Sequence, residues 1–331
     1  ALAEHRGDVL VFLPGVGEIN VVARALGEPP GVVVLPLHGS LSLAEQEQAL
    51  HPGSSAAVRR VVLATDLAET SLTIEGIGVV VDSGLTRKPR FEPGPGMTRL
   101  VTQPISRASA AQRAGRAGRL GPGHCIRLWA EAEHQRRPAQ RPAEIQESDL
   151  SPLVLEVALW GVTDPADLRW LDPPPAPAWA SALTLLQALG ALDARGGMTP
   201  LGRRMAALPT HPRLAAMLCQ APADARGLAC DLAALLSERD PRIGGDGLPK
   251  QADLMPRLVA LAAHRQRASH ATAGFDPRRL AAVARAADQL QRLLPAPGNA
   301  AAVPTAGPRD PAALLALAYP DRIGQNRGRG G

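Results

Sequence analysis

Gln112-Arg113-Ala114-Gly115-Arg116-Ala117-Gly118-Arg119 closes the stretch, Ala64 to Arg119, on which the reading of the whole chain turns. Gln112, Arg116 and Arg119 recur at i, i+4 and i+7, a spacing that puts them on one face of a helix. Guanidiniums crowded on one short helix repel one another, so an isolated helix gains nothing from them. Arginine suits a polyphosphate: it is always charged, planar, and its donors match phosphate oxygens. The glycines and alanines between the arginines let another surface come close. A glutamine beside two arginines also supplies parts that orient a water and stabilise a phosphoryl-transfer transition state. Taken alone, these residues leave a solvated basic helix or a nonspecific nucleic-acid patch as the less favoured alternative.

Upstream, Arg60-Val61-Val62-Leu63-Ala64 is an apolar run of the kind that forms a buried strand, and Val79-Val80-Val81-Asp82 is a second. Between them lies the hydroxyl-rich segment Thr65-Asp66-Leu67-Ala68-Glu69-Thr70-Ser71-Leu72-Thr73-Ile74-Glu75-Gly76. Open parallel sheets place their ligands at turns of this sort, beyond the carboxyl ends of strands. Outward from here the alternation continues. Asp8 to Leu13 and Val32 to Leu37 read as strands, Glu18 to Leu26 and Ser42 to Leu50 as helices, and Cys125 to Trp129 as a last strand. That order argues for an α/β lobe with a parallel sheet covered on both faces. One insertion interrupts it. Leu85 to Gln103 carries the basic run Thr86-Arg87-Lys88-Pro89-Arg90, then Pro93-Gly94-Pro95-Gly96, then Thr98 to Thr102, which predicts a hairpin.

Beyond about residue 147 the strands stop. Ser151-Pro152, Thr199-Pro200, Asp276-Pro277 and Asp310-Pro311 each read as a cap followed by the first helical residue. Trp179 to Leu192 is amphipathic through Ala182, Leu185, Leu189 and Leu192, and Arg278 to Leu294 through Leu280, Val283, Ala287 and Leu290. Helix, Gly196-Gly197 turn, short extended piece and helix fit a small winged-helix unit. The expected division is 1–146 for the α/β lobe, 147–210 for the winged helix and 211–331 for a helical bundle and tail.

The two long segments around 64–76 and 112–119 resemble motifs V and VI of the DEAH-box RNA helicases. Val9 to Gly15 and Leu37-His38-Gly39-Ser40-Leu41 are similar to the motif IV region, and the flanks look most like the bacterial HrpB subfamily. The resemblance implies a RecA-like second lobe of the P-loop NTPase type, followed by an all-α winged-helix and helical-bundle region. It implies ATP as the nucleotide, with Mg²⁺, and single-stranded or partly duplex RNA as partner, DNA remaining open. Arg116 and Arg119 would act on the γ-phosphate and Gln112 on the attacking water. Thr73 and Glu75 would face the ribose, although Asp is more usual than Glu there. Leu50 stands where the family stacks an aromatic residue on the adenine. Thr70, Ser71 and Ser40 would touch the RNA backbone. The hairpin would meet the duplex junction, or be a plain surface hairpin. For Arg203 and Arg213 a packing role is expected.

Counting shows what these residues do not contain. Lys88 is followed by Pro89 and Lys250 by Gln251, so no Walker A loop is present, and no Asp precedes a Glu. The expectation is a C-terminal helicase portion whose Walker A lobe lies elsewhere, inactive in ATP hydrolysis by itself. A non-catalytic nucleic-acid-binding module or a relic fragment is the alternative. Over its 331 residues the chain is 45% apolar, 20% charged and only 2% aromatic, an ordinary globular balance with few rings for base stacking. A net charge of +5 permits a nucleic-acid partner. Three cysteines without C-x-x-C spacing are expected to be reduced and buried, and eight scattered histidines suggest no metal site. No run of 18 apolar residues occurs, so a cytoplasmic protein away from membranes is expected.

Overall fold

The computed structural model describes residues 2–51, 58–70, 73–118, 121–243, 252–268, 272–295 and 310–324. Two compact units divide at Ser148/Asp149. The first carries strands β1 (Asp8–Phe12), β2 (Val32–Leu37), β3 (Arg59–Ala64), β4 (Ile77–Asp82), β5 (Leu85–Glu92), β6 (Met97–Pro104) and β7 (His124–Arg127). Its helices are α1 (Val16–Leu26), α2 (Leu43–Leu50), α3 (Leu67–Thr70), α4 (Arg107–Ala114) and α5 (Glu131–Arg136).

Five strands form one parallel sheet in the order β2-β3-β1-β4-β7. Because side chains alternate along a strand, the apolar runs feed two cores at once. Leu10, Phe12, Val62, Ala64 and Val80 point to one face, where Ala49 and Ala68 join them. Val9, Val61, Leu63 and Val79 point to the other, against Ile19 of α1. Helix α2 starts with a full capping box: Ser42 accepts from Glu45 N, and the Glu45 carboxylate accepts from Ser42 N. The inserted segment is a hairpin. β5 and β6 pair antiparallel from Leu85↔Pro104 to Glu92↔Met97, with residues 93–96 as the connecting turn.

The second unit is helical, with α6 (Ser151–Leu159), α7 (Ala176–Ala188), α8 (Pro200–Ala206), α9 (Pro212–Gln220), α10 (Arg226–Ser237), α11 (Met255–Arg265), α12 (Pro277–Leu293) and α13 (Pro311–Ala318). α6 packs against α7 and α8, α9 against α8, α10 and α13, and α12 against α10 and α11. The extended piece after Gly197 reduces to one antiparallel bridge, Leu192↔Met198. Thr199, Asp276 and Asp310 cap their helices as expected. Ser151 does not: it is buried inside α6, and the Asp149 carboxylate accepts from its N–H instead. Along α7 it is Leu186 that is fully buried, where the periodicity pointed to Leu185. Arg213 is buried and structural, its guanidinium paired with both oxygens of Asp321 at 2.6 and 2.8 Å.

The cysteines correct one expectation. All are free, but only Cys230 is buried; Cys219 is half-buried and Cys125 is exposed on the edge strand β7. A sheet edge has no neighbour to cover it. Burial pushes the thiols of Cys219 and Cys230 up to about 11. No helix among the described residues is long and apolar enough to cross a membrane.

Candidate functional site

The carboxyl ends of β1, β3 and β4 lie side by side, and the turns that leave them are tied together. Leu13 N donates to Ala64 O at 2.8 Å and Ser83 N to Phe12 O at 3.2 Å. After β3 the chain makes the single helical turn α3. After β4 it passes through Ser83-Gly84 into the hairpin. Helix α4, capped by the Ser106 hydroxyl, packs on β4 and carries the arginine-rich segment to this end of the sheet.

Arg113 of α4 is wholly buried among these turns. Its Nε donates to Glu69 Oε2 at 3.1 Å, and its Nη1 to Asp82 Oδ1 at 2.8 Å and Leu85 O at 3.2 Å. The guanidinium lies 4.7 Å from the centre of the Phe12 ring. Glu69, equally buried, also accepts from Arg141 Nη2 at 2.5 and 2.6 Å, while Arg141 Nε donates to Ser109 Oγ. Thr86 Oγ1, at the root of the hairpin, donates to Asp66 Oδ2 at 2.5 Å. Buried ions gain little net stability over an apolar core, but they fix one arrangement because each charge has its partner only there. The sequence reading passed over Arg113 in favour of its neighbours. The signal was present: Asp82 closes a strand buried on both faces, and such a carboxylate needs a cation.

Glu69 holds the two segments together a second time through its main chain. Its carbonyl accepts from Arg116 Nε at 3.0 Å and from Arg116 Nη2. Gln112 is exposed on α4 and Arg116 is half-buried just beyond it. The expected continuous helix through Arg119 is not formed. α4 ends at Ala114, and Arg116 N→Arg113 O and Ala117 N→Ala114 O, both 3.1 Å, are the tighter i to i+3 bonds of a closing turn. Glycine is a poor helix former, and Gly115 stands at the break. Gln112 therefore lies on the helix and Arg116 in the turn beyond it; Arg119 lies outside the described residues. A Cβ at Gly123 would sit 2.1 Å from Ala117 O, so a bare backbone is required where the chain returns towards β7.

Thr70 ends α3 and is exposed; Ser71 lies outside the described residues. Thr73 and Glu75 are exposed on the return to β4. Ser40 is exposed in a different turn, after β2, with its N–H on His38 Nδ1 at 3.3 Å. Leu50 ends α2, packs against the core, and its carbonyl accepts from Glu75 N at 3.4 Å. The structure thus brings Leu50 to Glu75, and Arg116 to the Glu69–Thr70 turn. An exposed amide and a half-buried guanidinium fit the oxygens of a nucleotide phosphate. Among the described residues no group of three His, Cys, Asp or Glu side chains is placed to hold a metal ion, so these residues offer Mg²⁺ no cage of their own.

Residues 2–121 match the family described as the helicase conserved C-terminal domain, and residues 182–210 the helicase associated domain (HA2), winged-helix. The ATP-dependent RNA helicase HrpB of Escherichia coli K12 is 47% identical over 75% of this chain and 30% of its own length. The pre-mRNA-splicing factor ATP-dependent RNA helicase prp22 of Schizosaccharomyces pombe is 42% identical over 66% of this chain and 19% of its own. A crystal structure of the E. coli DEAH/RHA helicase HrpB superposes on the whole chain with a TM-score of 0.78 at 40% identity, 38% of that structure being covered. The chain therefore spans less than a third of the length of these curated relatives.

Proposed function

The chain belongs to the DEAH-box RNA helicases, as a C-terminal portion of the HrpB type, and on that premise we propose that it closes over ATP and follows an RNA strand. In this reading the nucleotide binds between the α/β lobe and a second lobe bearing the Walker A loop, a sequence absent from these 331 residues. Gln112, Arg116 and Arg119 approach the phosphates, Gln112 orienting the water and the arginines taking up charge on the γ-phosphate. Thr73 and Glu75 face the ribose, and Leu50 lies against the base. A leucine in place of an aromatic ring weakens base selection. Mg²⁺ would be held mainly by the other lobe and would supply charge neutralisation at the phosphates. Thr70, Ser71 and Ser40 meet the RNA backbone, contacts that carry little sequence information and suit movement along any strand. The hairpin with Arg87, Lys88, Arg90 and Arg99 stands at the duplex junction. The winged helix is taken as 147–210 and the bundle as 211–331. A cytoplasmic setting suits the three free thiols.

The observation that carries this reading is the Arg116–Glu69 carbonyl bond. It places an arginine suited to phosphate one peptide away from Thr70, a residue suited to a nucleic-acid backbone. The test is ATP hydrolysis with and without single-stranded RNA, on this chain alone and on the full-length protein that carries it. The chain alone should be inactive and the full-length protein RNA-stimulated, with Arg116→Ala lowering the rate roughly 10³-fold or more. A full-length protein that binds RNA but shows no ATPase activity would make the chain a non-catalytic binding module.

A further inference from the structure

Another buried guanidinium of the α/β unit lies away from the Arg113 cluster. Arg60, at the start of β3, is 3% exposed and paired with Asp8 at 2.8 Å, both through Nε and through its own backbone N–H. Its two remaining nitrogens reach main-chain carbonyls on different elements: Nη1 to Ala49 O at 3.3 Å, and Nη2 to Glu75 O at 2.5 Å. Ala49 precedes Leu50 at the end of α2, and Glu75 leads into β4. The same two segments meet directly through Glu75 N and Leu50 O. Gly76 makes the approach possible. It has φ +82°, and a Cβ there would stand 3.1 Å from the Asp8 carboxylate. One rigid planar fork therefore spans β1, α2 and the approach to β4. A lysine carries the same charge but cannot reproduce the fork.

We propose that Arg60, anchored by Asp8, is a positioning residue for the nucleotide: it sets the separation of Leu50 and Glu75, the base edge and the ribose edge. This rests on the reading of Leu50 and Glu75 given above. Arg60 itself touches no nucleotide and acts through two carbonyls. Misplacing an edge that contacts ATP equally in ground and transition state raises KM and leaves kcat alone.

The test uses the full-length protein with Leu50→Ala, Arg60→Lys and the double variant. The readouts are RNA-saturated ATPase kinetics, RNA affinity, and equilibrium titration with a fluorescent ATP analogue. Each single variant should raise the ATP KM and the analogue Kd about tenfold, with kcat within about twofold and RNA affinity unchanged. The double variant should lose less than the product of the two single effects, because Arg60 shares the base edge with Leu50 and adds only the ribose edge. If Leu50→Ala raises KM and Arg60→Lys does not, the positioning role is overturned while the base-edge reading stands. If Leu50→Ala leaves KM unchanged, the base-edge reading fails and the proposal falls with it. Equal losses in kcat, RNA affinity and KM for Arg60→Lys would mean general loosening and would also overturn it. Should Arg60→Lys not fold, Asp8→Asn, which keeps the fork and removes its anchor, is held to the same outcomes.

Discussion

Arg113 Nε lies 3.1 Å from Glu69 Oε2, with the two side chains 0% and 2% exposed, at the point where the β3–α3 turn meets α4. Asp82, also fully buried, shares the same guanidinium at 2.8 Å. Removing the cation strands the buried Asp82 carboxylate and leaves Glu69 to Arg141 alone. Arg113→Met should cost about 3–5 kcal/mol in denaturant unfolding. Glu69→Gln should cost less, because an amide still accepts from Arg141. Adding Asp82→Asn to Arg113→Met should recover part of the loss, and a double variant no better than the single would show that charge is not the cause.

The bare backbone at Gly123 makes a separate prediction. Gly123→Ala forces a methyl into the Ala117 carbonyl, so the turn bearing Arg116 must shift. A loss of about 1–3 kcal/mol is expected, against no loss or a small gain for Gly17→Ala, which lies in α1 with nothing within 4 Å. Thermal unfolding of the two variants side by side checks it.

In the helical unit, three carboxyls lie below their ordinary value of 3.8. The hydrogen-bonded Arg213 guanidinium lowers Asp321, and Arg257 lowers Asp240. For Asp149, burial opposes ionisation, but the hydrogen bond from His211 and the Ser151 N–H outweigh it. A lowered folded-state value means that the unfolded chain takes up protons first. Stability from these groups is therefore complete above about pH 5 and is lost as pH falls towards the folded values. The melting temperature of the unit should be flat from neutral pH down to that point and then drop. Arg213→Ala should lower the plateau and make the drop shallower.

The hairpin sets Arg90 directly opposite Arg99, with Lys88 and Arg87 on the same strand as Arg90. Like charges facing each other across a strand pair are unfavourable unless an anion lies between them, a place that Glu92, 3.6 Å from Arg99, fills only in part. If RNA phosphates take that place, Arg90→Ala should reduce the salt dependence of RNA binding by about one unit of slope, uniformly across sequences. Thermal stability should be unchanged or slightly raised. An unchanged slope would assign the hairpin to the surface alone.

Much of this architecture is legible in the chain because its signals are local. The parallel strands announce themselves as short apolar runs, the hairpin as Pro93-Gly94-Pro95-Gly96 between β-rich arms, and the later helices as Thr199, Asp276 and Asp310 before proline. Motif spacing brought Arg116 to attention, and its bond to Glu69 joins the two segments chosen for their pattern. What stayed hidden depends on partners far along the chain. Arg113 and Arg60 look like ordinary members of basic runs until Asp82, Glu69, Asp8 and Glu75 are brought to them. The end of α4 was missed because i, i+4, i+7 spacing says nothing about where two glycines let a helix tighten. The cap of α6 was misplaced because Asp149 and Ser151 are both good acceptors, and only the fold chooses between them.

The Arg213–Asp321 pair ties residues 108 apart, and Arg213 also reaches the Ala318 carbonyl. The segment around α13 therefore behaves as a keystone: it comes late in the chain yet completes the seat of a cation on α9. Any shortened version ending before residue 321 would leave that cation buried without its counter-charge and strip the cover from α9. Such a version should resist over-expression and be digested readily, even though everything upstream of the cut is unaltered. For the same reason a tag or fusion belongs beyond Asp321, where the counter-charge of Arg213 is already in place.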